Sequence, residues 1–244
     1  MNSTLARRTR SRSALVVAVG TVVTAVVSLV VGITSPPRSG PYCQSDCLAY
    51  PYTDVVAFVP RDYWWMYPLL LMVLMTLLLA VAVHGWVSPP RRALSLVGLC
   101  LTAVAAAVLV ADYGIQLTAV QPALLAGETE GLSLWTQYNP HGVFIALENA
   151  GFATLNLGFV FLGSALATTR PRSAAIGAWV FRAGGTLTLA VMVALATIYR
   201  AELDYRFEVA AIGLTWLTLI TGGLLMAIAF AGTPAGPGAA ALPR

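Results

Sequence analysis

Asp112 and Gln116 stand four residues apart, about one helical turn, and a run of polar groups follows them: Gln121, Glu128, Glu130, Gln137, Asn139 and His141, then Glu148, Asn149 and Asn156. Carboxylates, amides and one imidazole can do acid/base chemistry, couple a proton or recognise a polar headgroup. The stretch "YRAELDYRFE" supplies a second set, Arg200, Glu202, Asp204, Arg206 and Glu208. Asp112, His141 and Glu148 are the candidate catalytic or proton-relaying groups, His141 lying about two helical turns before Glu148. Gln116, Gln121, Glu128, Gln137, Asn139, Asn149, Asn156, Arg200 and Glu208 are the candidate ligand contacts. The competing reading is structural: Arg200 or Arg206 pairs with Asp112 and Glu148 and clamps helices together.

Other chemistries are set aside by composition. The chain has no lysine, hence no Schiff base, no Walker A loop and no catalytic lysine. It has no G-x-S-x-G and no H-E-x-x-H. With only His84 and His141, expected on opposite sides of the membrane, no metal centre and no cofactor is expected. His84 reads as an interfacial residue. Cys43 and Cys47, in "PYCQSDCLAYPYTD", lie where an oxidising compartment permits a disulfide; free thiols and a redox or metal pair stay open, since a lone C-x-x-x-C is a weak metal signal. Cys100 is expected as a small core residue.

These groups must be carried by membrane helices. Hydrophobic residues make up 58% of the 244 and charged ones 10%, with mean hydropathy +0.79, which leaves almost nothing for a soluble domain. A hydrocarbon core roughly 30 Å thick needs about 20 helical residues. Six stretches meet that length, 14–34, 67–86, 93–118, 142–168, 176–199 and 209–231. The fold class expected is all-α, an integral membrane six-helix bundle over 14–231, with a basic arm at 1–13 and a disordered Pro/Gly/Ala-rich tail at 232–244. The apolar core of the first helix is longer than a signal peptide's and has no A-x-A site, so it reads as a retained anchor.

Orientation follows the arginines. Arg7, Arg8, Arg10 and Arg12 precede the first helix, Arg91 and Arg92 follow the second, and Arg170 and Arg172 follow the fourth; these segments belong in the cytoplasm. The chain is then a multi-pass cell-membrane protein with both termini cytoplasmic. The net charge of +4 reports topology and contact with anionic membrane lipids, and points to no nucleic acid. Tyr63, Trp64, Trp65, Tyr67, Trp86 and Trp179 are expected as interfacial belts. Arg182, two turns into the fifth helix, can snorkel to the surface. Gly151, Gly158, Gly184, Gly185, Gly222 and Gly223 allow close helix approach, and the faces bearing Thr21, Thr24 and Ser28 and bearing Thr215, Thr218 and Gly222 should point inward.

The segment "DYGIQLTAVQPALLAGETEGLSLWTQYNPHGVFIALENAGF", with "CLAYPYTD" and "RDYWWMYP", resembles a family of uncharacterised multi-pass membrane proteins of bacteria and archaea in which Q-P, G-E and Q-Y-N-P-H-G stretches recur. The resemblance spans roughly 42–165. It implies the helical membrane fold and draws interest to Gln121, Glu128, Gln137, Asn139, His141 and Glu148, without implying an activity. The 118–142 segment is too long for a minimal connection, and its "PALLA" and "LSLW" runs argue for packing, as a short interfacial helix or re-entrant cap with bends at Gly127, Gly131 and Gly142.

The sequence therefore predicts an outward-facing polar pocket among the third to sixth helices that binds or processes a lipid or small amphiphile. Proton-linked transport of a small solute and a scaffold or accessory role are the alternatives, with any protein partner unspecified. Reporter fusions at Arg244 and Glu128 test the orientation: the Arg244 fusion should report cytoplasm and the Glu128 fusion the outside, and an external signal from Arg244 would overturn the six-span reading.

Overall fold

The computed structural model describes residues 2–167 and 171–232. Six long helices carry it: α1 Asn2–Ile33, α2 Met66–Trp86, α3 Arg92–Ile115, α4 Val143–Leu166, α5 Arg172–Tyr199 and α6 Arg206–Ala231. All six contain stretches long and apolar enough to cross a membrane, and no strand occurs among the described residues. Two boundaries differ from expectation. α1 begins at Asn2, so the arginine arm is helical; no Gly or Pro interrupts that segment, and Arg, Leu and Ala are good helix formers. Arg170 and the run 233–244, expected as a disordered tail, lie outside the described residues.

The helices close a ring in chain order. Each packs on the next, α6 returns to α1, and α4 and α6 also meet across the centre. Burial in α1 falls on Ala14, Ala18, Thr21, Ala25 and Ser28, spaced alternately four and three apart, as a helix seam requires. Its valines face outward: Val16, Val19, Val23 and Val30 are exposed. Large apolar groups lie against lipid and small ones against protein, because in a bilayer helices are drawn together by close packing rather than by escape from water. Thr215, Thr218 and Gly222 of α6 are buried as well.

Glycines set the closest seams. A Cβ at Gly151 would lie 2.6 Å from the Leu109 side chain, at Gly158 2.9 Å from Thr102 Oγ1 and at Gly163 2.6 Å from the carbonyl of Ala178. The α3–α4 and α4–α5 contacts thus bring backbone almost to backbone. Cys100, expected in the core, is exposed on the outward face of α3, where a small thiol meets lipid. The aromatic belt is partial: Trp64, Tyr67 and Trp179 are exposed, but Tyr63 is fully buried, and Trp65 packs edge-on against Tyr113 and Phe144. Trp86 meets Phe230 edge to face. The Arg182 guanidinium lies over the Trp179 ring at 4.2 Å.

α3 runs past its expected end. After Ile115 one π turn, Gln116–Val120, leads directly into a helical Gln121–Leu125. Pro122 has no N–H and its ring crowds the carbonyl four residues back; the wider turn just before it is where the helix accommodates that loss. An α-helix advances about 100° per residue, so steps of four overshoot a straight stripe by about 40° each. The π turn takes up part of that drift, and Asp112, Gln116, Val120 and Leu124 all remain buried.

Gly163→Ala should lower bundle stability by about 1–3 kcal/mol because the methyl meets a carbonyl that cannot move aside. Gly114→Ala, with open space at its Cβ position, should be neutral or gain up to about 1 kcal/mol. Thermal unfolding of both variants in detergent checks the order; equal melting points would remove close packing at Gly163 from the account.

Candidate functional site

The polar groups gather at one end of the bundle, the end that holds Cys43 and Cys47, which are joined by a disulfide. Asp62, at the entry to α2, ties both ends of the first loop to the segment before α4. Its Oδ2 accepts from Arg38 Nε at 3.2 Å and from the Tyr138 hydroxyl at 3.3 Å, and its backbone carbonyl accepts from Gln137 Nε2 at 3.2 Å. The Arg38 guanidinium lies 3.8 Å over the Phe58 ring. Tyr205, just before α6, donates to the Gln137 carbonyl at 3.1 Å and shares a 2.8 Å hydrogen bond with Ser39, whose hydroxyl donates to the Tyr138 carbonyl at 2.5 Å. Burial pushes the Tyr138 and Tyr205 hydroxyls up, so both stay protonated and keep donating at neutral pH.

These contacts frame a cavity of about 410 Å³, within the range of small-molecule sites. Its polar end is Arg38, Ser39, Asp62, Gln137, Tyr205 and Glu208. Its apolar walls come from Leu29 and Ile33 of α1, Leu69 of α2 and Val209 and Ile212 of α6. The deepest lining residues are Ser28 and Trp216, and Trp216 Nε1 donates to Ser28 Oγ at 2.8 Å. The α6 lining runs from Glu208 to Trp216, so the wall extends about 12 Å along that helix. Ile33 and Val209, on the margin, are exposed, which opens the cavity towards the lipid face between α1 and α6. Gly32 and Gly213 also line it, and a Cβ at either would meet nothing within 4 Å.

A second cluster lies beside the first. Glu148 of α4 is fully buried, accepts a short hydrogen bond from the Tyr113 hydroxyl and stands next to Asp112 of α3 and Glu208 of α6. The Glu148 and Glu208 side chains share a carboxyl–carboxyl hydrogen bond, Asp112 Oδ2 has no hydrogen-bond partner among the described residues, and no arginine among them forms an ion pair with any of the three. The clamp by Arg200 or Arg206 is therefore not formed: Arg206 pairs with Asp204 at 3.1 Å, and Arg200 is exposed. Glu208 belongs to both clusters. Further in, Asn156 Nδ2 donates to Thr215 Oγ1 at 2.8 Å, joining α4 to α6.

Several expected residues are placed elsewhere. His141 Nε2 lies 3.1 Å from Asp204 Oδ1 with its ring largely exposed, so it is not the partner of Glu148; the turn before α4 directs it at the α5–α6 loop. Glu128 is exposed. Gln116 is buried but used structurally, donating to the Trp135 carbonyl at 2.5 Å and accepting from the Gln137 N–H at 3.2 Å. Asn139 holds its own turn, donating to the Ser133 carbonyl and accepting from the His141 N–H. Gln121 and Asn149 each keep a buried, unpartnered amide oxygen among the described residues, but neither lines the cavity. His84, at the opposite end, makes a 2.9 Å hydrogen bond with Ser95.

The cavity is formed by α1, α2, α6 and three loops, and α3, α4 and α5, expected to share in it, contribute no lining residue. Arg38, Ser39, Asp62, Tyr138 and Tyr205 were missed because they lie far apart in sequence; the one available signal was an Arg and an Asp on opposite shoulders of the disulfide loop. Comparison with protein-family models, curated proteins and solved structures finds no match to this chain. The resemblance to bacterial and archaeal membrane proteins therefore adds no weight to the site.

Tyr113→Phe leaves a buried Glu148 oxygen without its donor and should cost about 1–3 kcal/mol. Glu148→Gln keeps an oxygen for Tyr113 and removes one acid from three adjoining ones, so it should cost less. Melting temperatures in detergent read the order, and a Glu148→Gln protein less stable than Tyr113→Phe would mean that the carboxylate itself holds the helices.

Proposed function

We propose that this protein binds a lipid or small amphiphile in the outer leaflet of the cell membrane, with both of its termini in the cytoplasm. The observation that carries the reading is the shape of the 410 Å³ cavity: polar groups at one end, apolar helix walls below them and an exposed margin between α1 and α6. That division matches a molecule with a headgroup and a chain, whose polar part needs fixed partners and whose apolar part contributes roughly 0.8 kcal/mol per buried methylene. The arginine distribution supports placing the cavity end outside, and the disulfide in the adjoining loop fits an oxidising compartment.

The adjoining carboxyl groups favour a second reading, proton-linked transport, since intramembrane acids commonly mark proton pathways. Against it stands the core beyond Asn156, where Phe159, Leu162, Phe181, Met226 and Phe230 are buried together. No ionisable side chain among these offers a next step for a proton.

The experiment fills the cavity. Gly213→Leu should project into open space, spare the fold, and reduce lipid retained through detergent purification at least ten-fold by native mass spectrometry. Gly114→Leu, also in open space but away from the cavity, is the control and should retain lipid. Equal retention by wild type and Gly213→Leu would sink the amphiphile reading.

A further inference from the structure

We infer that the outward face of α5, at the end of the bundle opposite the disulfide, carries a second and separate lipid site, where Arg182 takes the phosphate of an anionic phospholipid. Nothing in it depends on what the cavity holds. Arg182 is ten residues into α5 and forms no ion pair among the described residues. No carboxylate side chain of the chain is placed to reach it: all ten Asp and Glu residues lie in the first loop, in the turns of α3, α4 and α6 nearest the disulfide end, or in the α3–α4 and α5–α6 connections. A cation within a span is costly without a countercharge, and here the countercharge must come from outside the chain.

Geometry fixes the depth. The Arg182 guanidinium lies 4.2 Å over the ring of Trp179, one turn nearer the end of α5, so the side chain is folded towards the membrane surface. α5 has 28 residues, about 42 Å, and centred on a core roughly 30 Å thick it overhangs by about 6 Å at each end. Trp179 is then about 4 Å inside the boundary and Arg182 about 9 Å, and a guanidinium held at the level of Trp179 sits just beneath the phosphates. Trp179 is 62% exposed, and Ile176 and Leu187 are exposed with it, an apolar surface for the chains. Arg172, two turns before Trp179 and on the same stripe, is exposed and adds a second cation at the helix end. A second copy of the chain in the same orientation has no acid at that depth to offer. Between lipids, net charge decides: a zwitterionic headgroup brings its own cation to the phosphate, whereas an anionic one leaves the phosphate to the guanidinium fork. In the proposed orientation this is the cytoplasmic leaflet, where basic sites on spans recognise anionic headgroups.

The test uses the full chain carrying Gly213→Leu, so that lipid in the cavity does not enter the count. It is delipidated, given phosphatidylglycerol or phosphatidylcholine of identical chains, and read by native mass spectrometry. Phosphatidylglycerol should be retained at least five-fold over phosphatidylcholine. Arg182→Gln keeps the Cγ that packs on Gly163, so it should melt as its parent does and bring that ratio close to one. Should it melt lower, Trp179→Leu, at an exposed position, is read in its place and should cut the ratio several-fold. Arg92→Gln removes the same charge from an exposed position on α3 and should leave the ratio unchanged. Equal retention of the two lipids by the parent overturns the site, as does a preference that survives Arg182→Gln. An equal loss in Arg92→Gln overturns it in favour of diffuse attraction to the arginines of this end. Displacement of the lipid by excess inorganic phosphate would overturn a lipid occupant in favour of a free anion.

Discussion

Without water in the hydrocarbon core, every polar side chain on the six spans must find its partner within the protein. Most of the threonines do so inside their own helix. Thr21, Thr24, Thr76, Thr102, Thr188 and Thr218 each donate to the carbonyl four residues back, and a residue satisfied in that way imposes little on its neighbours. Larger polar groups cannot close on their own backbone so completely. Asn156 reaches Thr215 across the centre, Trp216 reaches Ser28 across the α1–α6 seam, and Tyr113 reaches Glu148 between α3 and α4. Those three contacts bring together the helices that bear the two polar clusters.

At the cavity end the same constraint acts on loops. The first loop, the segment before α4 and the connection into α6 share no sequence neighbourhood, yet all converge on a few groups around Asp62 and Tyr205. A buried ion pair contributes little when its desolvation is counted, but removing one member strands the other. Arg38 and Asp62 therefore fix register between loops more than they add stability. The adjoining space between α1 and α6 is open, and Gly32 and Gly213 keep it free of side chains.

Glu208 connects the two parts of the site. Its backbone belongs to the first turn of α6, where a carboxylate is favoured by the helix dipole, and its side chain stands between the cavity and the Glu148–Asp112 pair. An occupant that contacts Glu208 therefore also touches the environment of the two deeper acids. Placing ionisable groups at membrane depth costs about 2.5–3.5 kcal/mol each at the centre of a span; Glu208 and Glu148, within the first two turns of their helices, avoid the worst of that cost.

What the sequence determined by itself was the helical membrane architecture, since twenty-residue apolar stretches admit no other way to satisfy a backbone in lipid. It also determined the inward faces of α1 and α6, because small and hydroxylated residues repeat there at helical spacing, and the burial of Asp112, Gln116, Glu148 and Asn156, which lie on apolar helices. Local pattern could not say which helices surround an opening. The neighbourhood of α1 and α6, ends of the chain that close the ring, is a long-range pairing with no periodic signature. Nor could spacing show that His141 turns to Asp204 instead of Glu148, because a side chain at the mouth of a turn is aimed by the loop packed against it. The cavity itself arises where Arg38, Asp62, Gln137 and Tyr205 meet, and only the tertiary structure brings those four positions together.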